Sequence, residues 1–261
     1  MTATDNQPIS QLTQDHIKDI KIICFDTDGV TVKRGTQIEQ KGQELYIKTY
    51  PLQTVMLTKL NALKKHFHIT INSGRSGLYL TEMYRHLLWD NTSIISENGV
   101  FILYQGKLIQ NFDFSDYELA TLKTIRSELD KLAVSDSSVK GFEPKQFIIS
   151  LHCSQAINQV DQIVSQNDPQ KEFYCWWNGE AYDIAPRRFN KGVGLKKLSQ
   201  LLGLDISQTL AVGNGVNDKD MIDVAGVSVT TDPATLSADF SITGEHLGGT
   251  KLIDQLLKLV R

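Results

Sequence analysis

IKIICFDTDGV, residues 20–30, is an apolar run that stops abruptly on two acids and a glycine. Ile20 to Phe25 reads as a β-strand, and Asp26-Thr27-Asp28-Gly29 follows it directly. An Asp after a strand is often only a turn former or a helix cap. Two carboxylates two residues apart at a strand end can instead divide labour, one attacking as a nucleophile while the other gives and takes protons.

Working outward, residues 37–51 predict a β-hairpin turning at Lys41-Gly42. Met56, Leu60, Leu63 and Phe67 fall at helical spacing and lead into the strand Ile69-Thr70-Ile71. That strand ends at Asn72-Ser73-Gly74-Arg75. A second amphipathic helix carries Leu80, Met83, Tyr84, Leu87 and Leu88, and the short strand Ile94-Ile95 follows. Alternating strand and helix is the pattern of an α/β fold with a parallel sheet.

The middle of the chain differs. Val100–Tyr104 and Lys107–Gln110 flank a turn, FIISL (147–151) reads as a strand, and two helix faces run through Leu119–Leu132 and Ile157–Val164. FYCWW and AYDIA face each other across Asn178-Gly179, a pair suited to a tight hairpin. This predicts an inserted α+β domain with an antiparallel sheet. From about Pro186 the helix–strand alternation resumes, with strands at Thr209–Val212, Val227–Val229 and Phe240–Ile242 and a closing helix. The expected organisation is a polar N-terminal tail or short lead-in helix over 1–17, a Rossmann-like core over 18–101 and 187–261, and a cap over 102–186.

Composition narrows the function classes. Lys and Arg number 27 against 30 Asp and Glu, a net charge of −3 that gives no general footprint for nucleic acid or an anionic membrane. No apolar run approaches the ~18–20 residues of a membrane span. Cys24, Cys153 and Cys175 are widely spaced in apolar runs and are expected to be reduced core thiols. With no signal-peptide layout at the N-terminus, a cytoplasmic location is expected. His66, His68, His86, His152 and His246 show no metal-ligand spacing.

In open α/β sheets ligands bind outside the carboxyl ends of the strands. Asp26/Asp28, Ser73 and the run Asn214–Asp218 all follow strands, and Lys191-Gly192 opens a helix. Singly, Ser73-Gly74 is an ordinary loop, Asn214-Gly215 a turn and Lys191 a solvated lysine. Together they supply a nucleophile, an acid/base, anion donors, a cation and oxygen ligands for a hard metal. That set suits phosphoryl transfer, where positioning and charge neutralisation carry most of the catalysis.

The chain resembles the haloacid dehalogenase superfamily of phosphatases across residues 20–261, with its motifs in order. Asp26-Thr27-Asp28-Gly29-Val30 matches D-x-D-G-[TV], and Ser73-Gly74-Arg75 matches the second motif. Lys191 in NKGVGLKKL matches the lysine at a helix start, and GNGVNDKDM (213–221) matches G-D-x-x-N-D-x-x-M except at its second position. SENGV before the insert, and the insert's place between motifs two and three, are typical of the Cof-type branch, which carries an α+β cap and includes sugar-phosphate phosphatases. DTDGVTVKRG also resembles the start of phosphatases of 3-deoxy-sugar-acid phosphates, which lack the cap.

The resemblance implies that Asp26 attacks phosphorus and becomes an aspartyl-phosphate, and that Asp28 protonates the leaving alcohol and then activates water. Ser73, Gly74 and Lys191 would bind the phosphoryl group. Mg²⁺ would be held by Asp26, the Asp28 carbonyl, Asn214 and Asp218. Asn214 departs from the usual Asp, which predicts weaker Mg²⁺ binding. The expected substrate is a small phosphorylated metabolite, foremost a sugar phosphate, and the expected role of the cap is to set specificity. The alternative is a catalytically weakened relative that binds a phosphorylated ligand or a protein partner. Lys145, Arg187 and Arg188 are expected on a solvated surface, and Trp176 and Trp177 on opposite faces of a strand. Oligomeric state has no sequence signature here.

Overall fold

The computed structural model describes residues 6–244 and 247–260. Residues 1–5 of the expected tail, and His246, lie outside these. The chain divides into two compact units, one of Met1–Arg34, Pro51–Asn111 and Asn190–Arg261, the other of Gly35–Tyr50 and Phe112–Phe189.

The first unit is an α/β layer structure. Among the described residues its sheet has nine strands, in the order Gln7–Pro8, Phe240–Ser241, Val227–Thr230, Thr209–Gly213, Ile22–Phe25, His68–Asn72, Thr92–Ser96, Phe101–Tyr104 and Lys107–Gln110. The first seven are parallel and the last two are antiparallel additions at one edge. The near-continuous apolar run at 22–25 follows from coverage of both sheet faces. Ile23 and Phe25 pack with Met56, Leu60, Leu80, Leu252 and Ile253 on one face. Ile22 and Cys24 pack with Leu195, Leu198, Met221 and Ile222 on the other. Each such side chain, fully buried, contributes ~1.5–3 kcal/mol.

Two expectations change here. The strands at 101–104 and 107–110, read from sequence as part of the insert, extend the core sheet, because Ser93–Ser96 offers its free edge to Phe101–Tyr104. The expected tail is also tied down over its described part. Gln7–Pro8 pairs with Phe240–Ser241, and Leu12 and Ile17 are buried.

The second unit is α+β. Its four-stranded antiparallel sheet runs Phe173–Trp177, Ala181–Pro186, Ile149–Cys153, Val139–Glu143. Asp116–Ser135 and Asn158–Asn167 are its helices. The first opens on a reciprocal cap, Ser115 Oγ accepting from the Glu118 N–H at 3.2 Å and Glu118 Oε2 from the Ser115 N–H at 2.8 Å. Phe142, Leu151, Tyr182 and Ile184 face Leu122, Ile125, Leu129 and Val160 in one core. The hairpin turn centres one residue later than the spacing suggests. Asn178 accepts from the N–H groups of Glu180 and Ala181 at 2.9 Å each, so Gly179-Glu180 are the central pair.

The hairpin Thr36–Lys41/Glu44–Thr49 belongs to this second unit, whereas the sequence reading left it in the core. Its Thr36 N–H donates to Glu180 Oε2 at 3.1 Å, and Gly141 leaves space for Ile38 and Gln40. Lys145 is not on a solvated surface either. Its side chain is 3% exposed and lies 3.1 Å from Asp183 Oδ1 and 3.5 Å from Glu143 Oε2. Arg188 pairs with Glu118 through both oxygens, at 2.6 and 2.8 Å. Trp177 packs against Tyr182 in the unit's core, and Trp176 alternates to the opposite sheet face, beside Asp183.

Candidate active site

Three neighbouring strands of the first unit end side by side. Asp26 follows Ile22–Phe25, Ser73 follows His68–Asn72, and Asn214 follows Thr209–Gly213. The strand ladder continues one residue past the first end, the Asp26 N–H donating to Val212 O at 3.0 Å. Beyond it the chain folds back on Thr27, whose carbonyl accepts from the N–H groups of Val30, Thr31 and Val32. Thr31 Oγ1 bonds the Asp26 carbonyl at 3.1 Å and the Tyr84 hydroxyl at 2.7 Å. Tyr84, read from sequence only as a helix-face residue, is thus a buried brace under this loop.

Lys191 reaches the same point from the helix Lys191–Leu201. Asn190 caps that helix, its Oδ1 accepting from the Val193 N–H at 2.9 Å. Gly192 lets the first turn lie against the backbone at Asp220, where a Cβ would come within 2.3 Å of a carbonyl oxygen. Lys191 is fully buried, and its ammonium donates to Asp26 Oδ1 at 2.6 Å and to Asp218 Oδ1 at 2.5 Å. The solvated-lysine reading fails for this residue. The lysine's own carbonyl accepts from Asn72 Nδ2 at 2.9 Å, a contact without a spacing signal in the sequence.

Burial works to lower the Lys191 ammonium, but Asp218 and Asp26 override it and hold the group well above its usual value. Burial, followed by the Asp218 carboxylate, pushes Asp26 up, with Lys191 opposing. Two buried carboxylates and one ammonium leave one net negative charge at this point.

Asp218 spends its other oxygen on the loop itself. Its Oδ2 accepts from the N–H groups of Asn214 at 2.8 Å and Gly215 at 2.9 Å, which sets the turn of GNGVND. Asp28 is gripped by Arg75 through a two-point contact, Nε to Oδ2 at 3.0 Å and Nη2 to Oδ1 at 2.9 Å. Arg75 stands two residues after Ser73, and its position in Ser-Gly-Arg was the available signal for this role. Its N–H also donates to Ser73 Oγ at 3.3 Å. SENGV closes around this loop, Glu97 N–H donating to Arg75 O and Asn98 N–H to Ser73 O.

Asn214 lies against Asp28. Its Nδ2 donates to the Asp28 carbonyl at 2.9 Å, and a Cβ on Gly29, at φ +85°, would fall 2.2 Å from that nitrogen. Only glycine at 29 provides this cradle. It places two of the expected metal donors next to each other. The full donor set, the Asp26 and Asp218 carboxylates, the Asp28 carbonyl and Asn214 Oδ1, is all hard oxygen and fits Mg²⁺ chemically. It is low in charge, and among the described residues no group of three or more His, Cys, Asp and Glu side chains is gathered as a metal site.

Comparison with known proteins follows the same lines. A model of haloacid dehalogenase-like hydrolases matches residues 127–238. YkrA of Bacillus subtilis (strain 168), named as a candidate phosphatase, is 22% identical over 237 residues, 81% of this chain and 86% of that protein. A phosphoglycolate phosphatase of Methanococcoides burtonii is 38% identical over 83 residues, 32% of this chain and 36% of that protein. The structure of a trehalose-6-phosphate phosphatase related protein superimposes with a TM-score of 0.68 at 14% identity, over 92% of this chain and 99% of that one. The sucrose-phosphatase of Synechocystis sp. PCC6803 gives 0.62 at 19% identity, over 95% and 99%. Motif order, model match and fold likeness all point the same way: the chain is similar to the haloacid dehalogenase-like hydrolases, with the family model matching its 127–238 segment and the fold of such phosphatases matching over most of its length.

Proposed function

We propose that this chain is a Mg²⁺-dependent phosphatase acting on a small phosphorylated metabolite, with a sugar phosphate as the leading class. One observation carries the reading: Lys191 bridges Asp26 and Asp218, gathering residues from three separate motifs into a buried group with one net negative charge. The phosphatases of trehalose 6-phosphate and of sucrose phosphate among the structural neighbours support the sugar class.

Lys191 donates to Asp26 Oδ1 and opposes the burial and the Asp218 charge that push this carboxyl up, so the in-line attack on phosphorus falls to Oδ2. Asp28 gives its proton to the departing alcohol and then takes one from the water that hydrolyses the aspartyl-phosphate. Arg75 holds the Asp28 carboxylate through both oxygens in the resting chain and keeps one of them while the other carries the transferred proton. Ser73 Oγ and the amide of Gly74 receive the phosphoryl oxygens. Asp26, the Asp28 carbonyl, Asn214 and Asp218 would hold Mg²⁺, which when bound supplies neutralisation of the phosphoryl charge.

The test is phosphate release from an aryl phosphate and a panel of sugar phosphates, titrated with Mg²⁺. Turnover should be lost by at least ~10³-fold in Asp26→Asn with the fold retained. Equal activity in that variant contradicts the assignment. Asn214, already hydrogen-bonded to Asp28, favours the second reading, a weakened relative that binds phosphorylated ligands. Phosphate binding without turnover at any Mg²⁺ concentration would select it.

A further inference from the structure

The side chain of Asn214 is engaged at both ends. Its Nδ2 donates to the Asp28 carbonyl at 2.9 Å, and its Oδ1 accepts from Arg34 Nη2 at 3.4 Å. The two acceptors in this chain of bonds, Asp28 O and Asn214 Oδ1, are two of the four oxygens assigned above to the cation. An aspartate at 214 would have no N–H to set on the Asp28 carbonyl. Asparagine therefore does more than remove a charge: it brings a donor that competes with the metal for the neighbouring ligand.

Arg34 adds to this. Its guanidinium is exposed, yet it brings a full positive charge to hydrogen-bonding distance of a ligand atom. Each of these hydrogen bonds occupies one lone pair of a ligand oxygen and sets a positive hydrogen beside it, so a cation binds both oxygens best once the amide nitrogen turns away from Asp28 and Arg34 withdraws. The charges elsewhere leave only one net negative charge for a divalent ion, since Lys191 offsets one of Asp26 and Asp218, and Arg75 offsets Asp28.

We infer that Arg34 is a latch on the cation site: it holds Asn214 in a self-bonded arrangement and sets divalent-cation affinity by competing for Asn214 Oδ1. The inference rests on the metal-dependent reading above. Repulsion between one guanidinium and a divalent ion about 6 Å apart in water is worth up to roughly tenfold in affinity, less with salt.

The test is Mn²⁺ binding to the full chain without substrate, followed by the loss of the free-ion electron paramagnetic resonance signal, with Mg²⁺ as the competitor. Arg34→Gln should tighten binding about three- to tenfold, Arg34→Lys less, and Asn214→Asp by more than either. Circular dichroism checks that each variant is folded, and Arg34 is exposed enough to replace without core damage. If Asn214→Asp tightens binding while Arg34→Gln leaves it unchanged or weaker, the latch is overturned and the metal placement stands. If neither variant changes the affinity, residue 214 is no ligand, and latch and placement fall together.

Discussion

Among the described residues, each unit buries a lysine between two carboxylates. Lys191 lies 2.6 and 2.5 Å from Asp26 and Asp218 at the carboxyl ends of parallel strands. Lys145 lies 3.1 and 3.5 Å from Asp183 and Glu143 on one face of an antiparallel sheet. The charges are alike, but the supports differ. Around Lys191 every partner is fixed by a loop whose own amides and glycines are committed, down to Asp218 bonding the N–H groups of residues 214 and 215. Around Lys145 the partners are strand residues, joined by Ser150, which donates to Asp183 Oδ1 at 2.7 Å, and by His152, 3.5 Å from Glu143 Oε2. The first arrangement fits the proposed role of Asp26 as a reacting carboxylate, because it holds that side chain in place. The second satisfies charge on a sheet face.

Substitution separates them most sharply at the lysines. Lys191→Met should remove measurable turnover and also cost ~3–5 kcal/mol of stability, because two buried carboxylates lose their counter-charge. Adding Asp218→Asn should restore much of the stability and none of the turnover. Lys145→Met should cost ~3 kcal/mol for the same electrostatic reason, a drop of roughly 6–12 °C in Tm. Turnover of a small aryl phosphate should survive it within a few-fold. Thermal melts beside the phosphate-release assay read both; loss of aryl-phosphate turnover in Lys145→Met would erase the distinction.

The half-buried His68 shows what happens without a carboxylate. Burial, and then the like charge of Lys64, lower His68 to about 4, and its Nε2 is 3.0 Å from Ser93 Oγ. The unfolded chain takes up this proton near pH 6.5 and the folded chain only near pH 4. Stability should therefore fall as pH drops through that window, by at most ~2 kcal/mol given partial exposure. In His68→Gln this component of the pH dependence should vanish from denaturant titrations; an unchanged slope would mean that His68 is not held neutral.

Much of the first unit was legible because its determinants are local. Strand ends followed by Asp26-Thr27-Asp28-Gly29, Ser73-Gly74 and Asn214-Gly215 show in short windows, and parallel strands place those ends together. What stayed hidden depends on partners distant in sequence. The hairpin at 36–49 forms its own two-stranded sheet and reads the same whichever unit it packs in; the gap at Gly141 and the bond from Thr36 to Glu180 show which. The strands 101–110 carry no mark of which edge they extend. Arg75 stood in a recognised motif, yet its grip on Asp28 spans 47 positions. Lys145 looks like any surface lysine until Asp183 is brought beside it.

The proposed role of Asp26, the nucleophile whose oxygen bonds phosphorus, is open to direct observation. The direct measurement is an acid quench during turnover of an aryl phosphate, borohydride reduction of any acyl phosphate, and mass analysis of the peptide spanning residues 20–30. Conversion of Asp26 to homoserine, dependent on substrate and absent without it, is the expected result. Sustained turnover with Asp26 unreduced, or reduction at a different carboxylate, would contradict it.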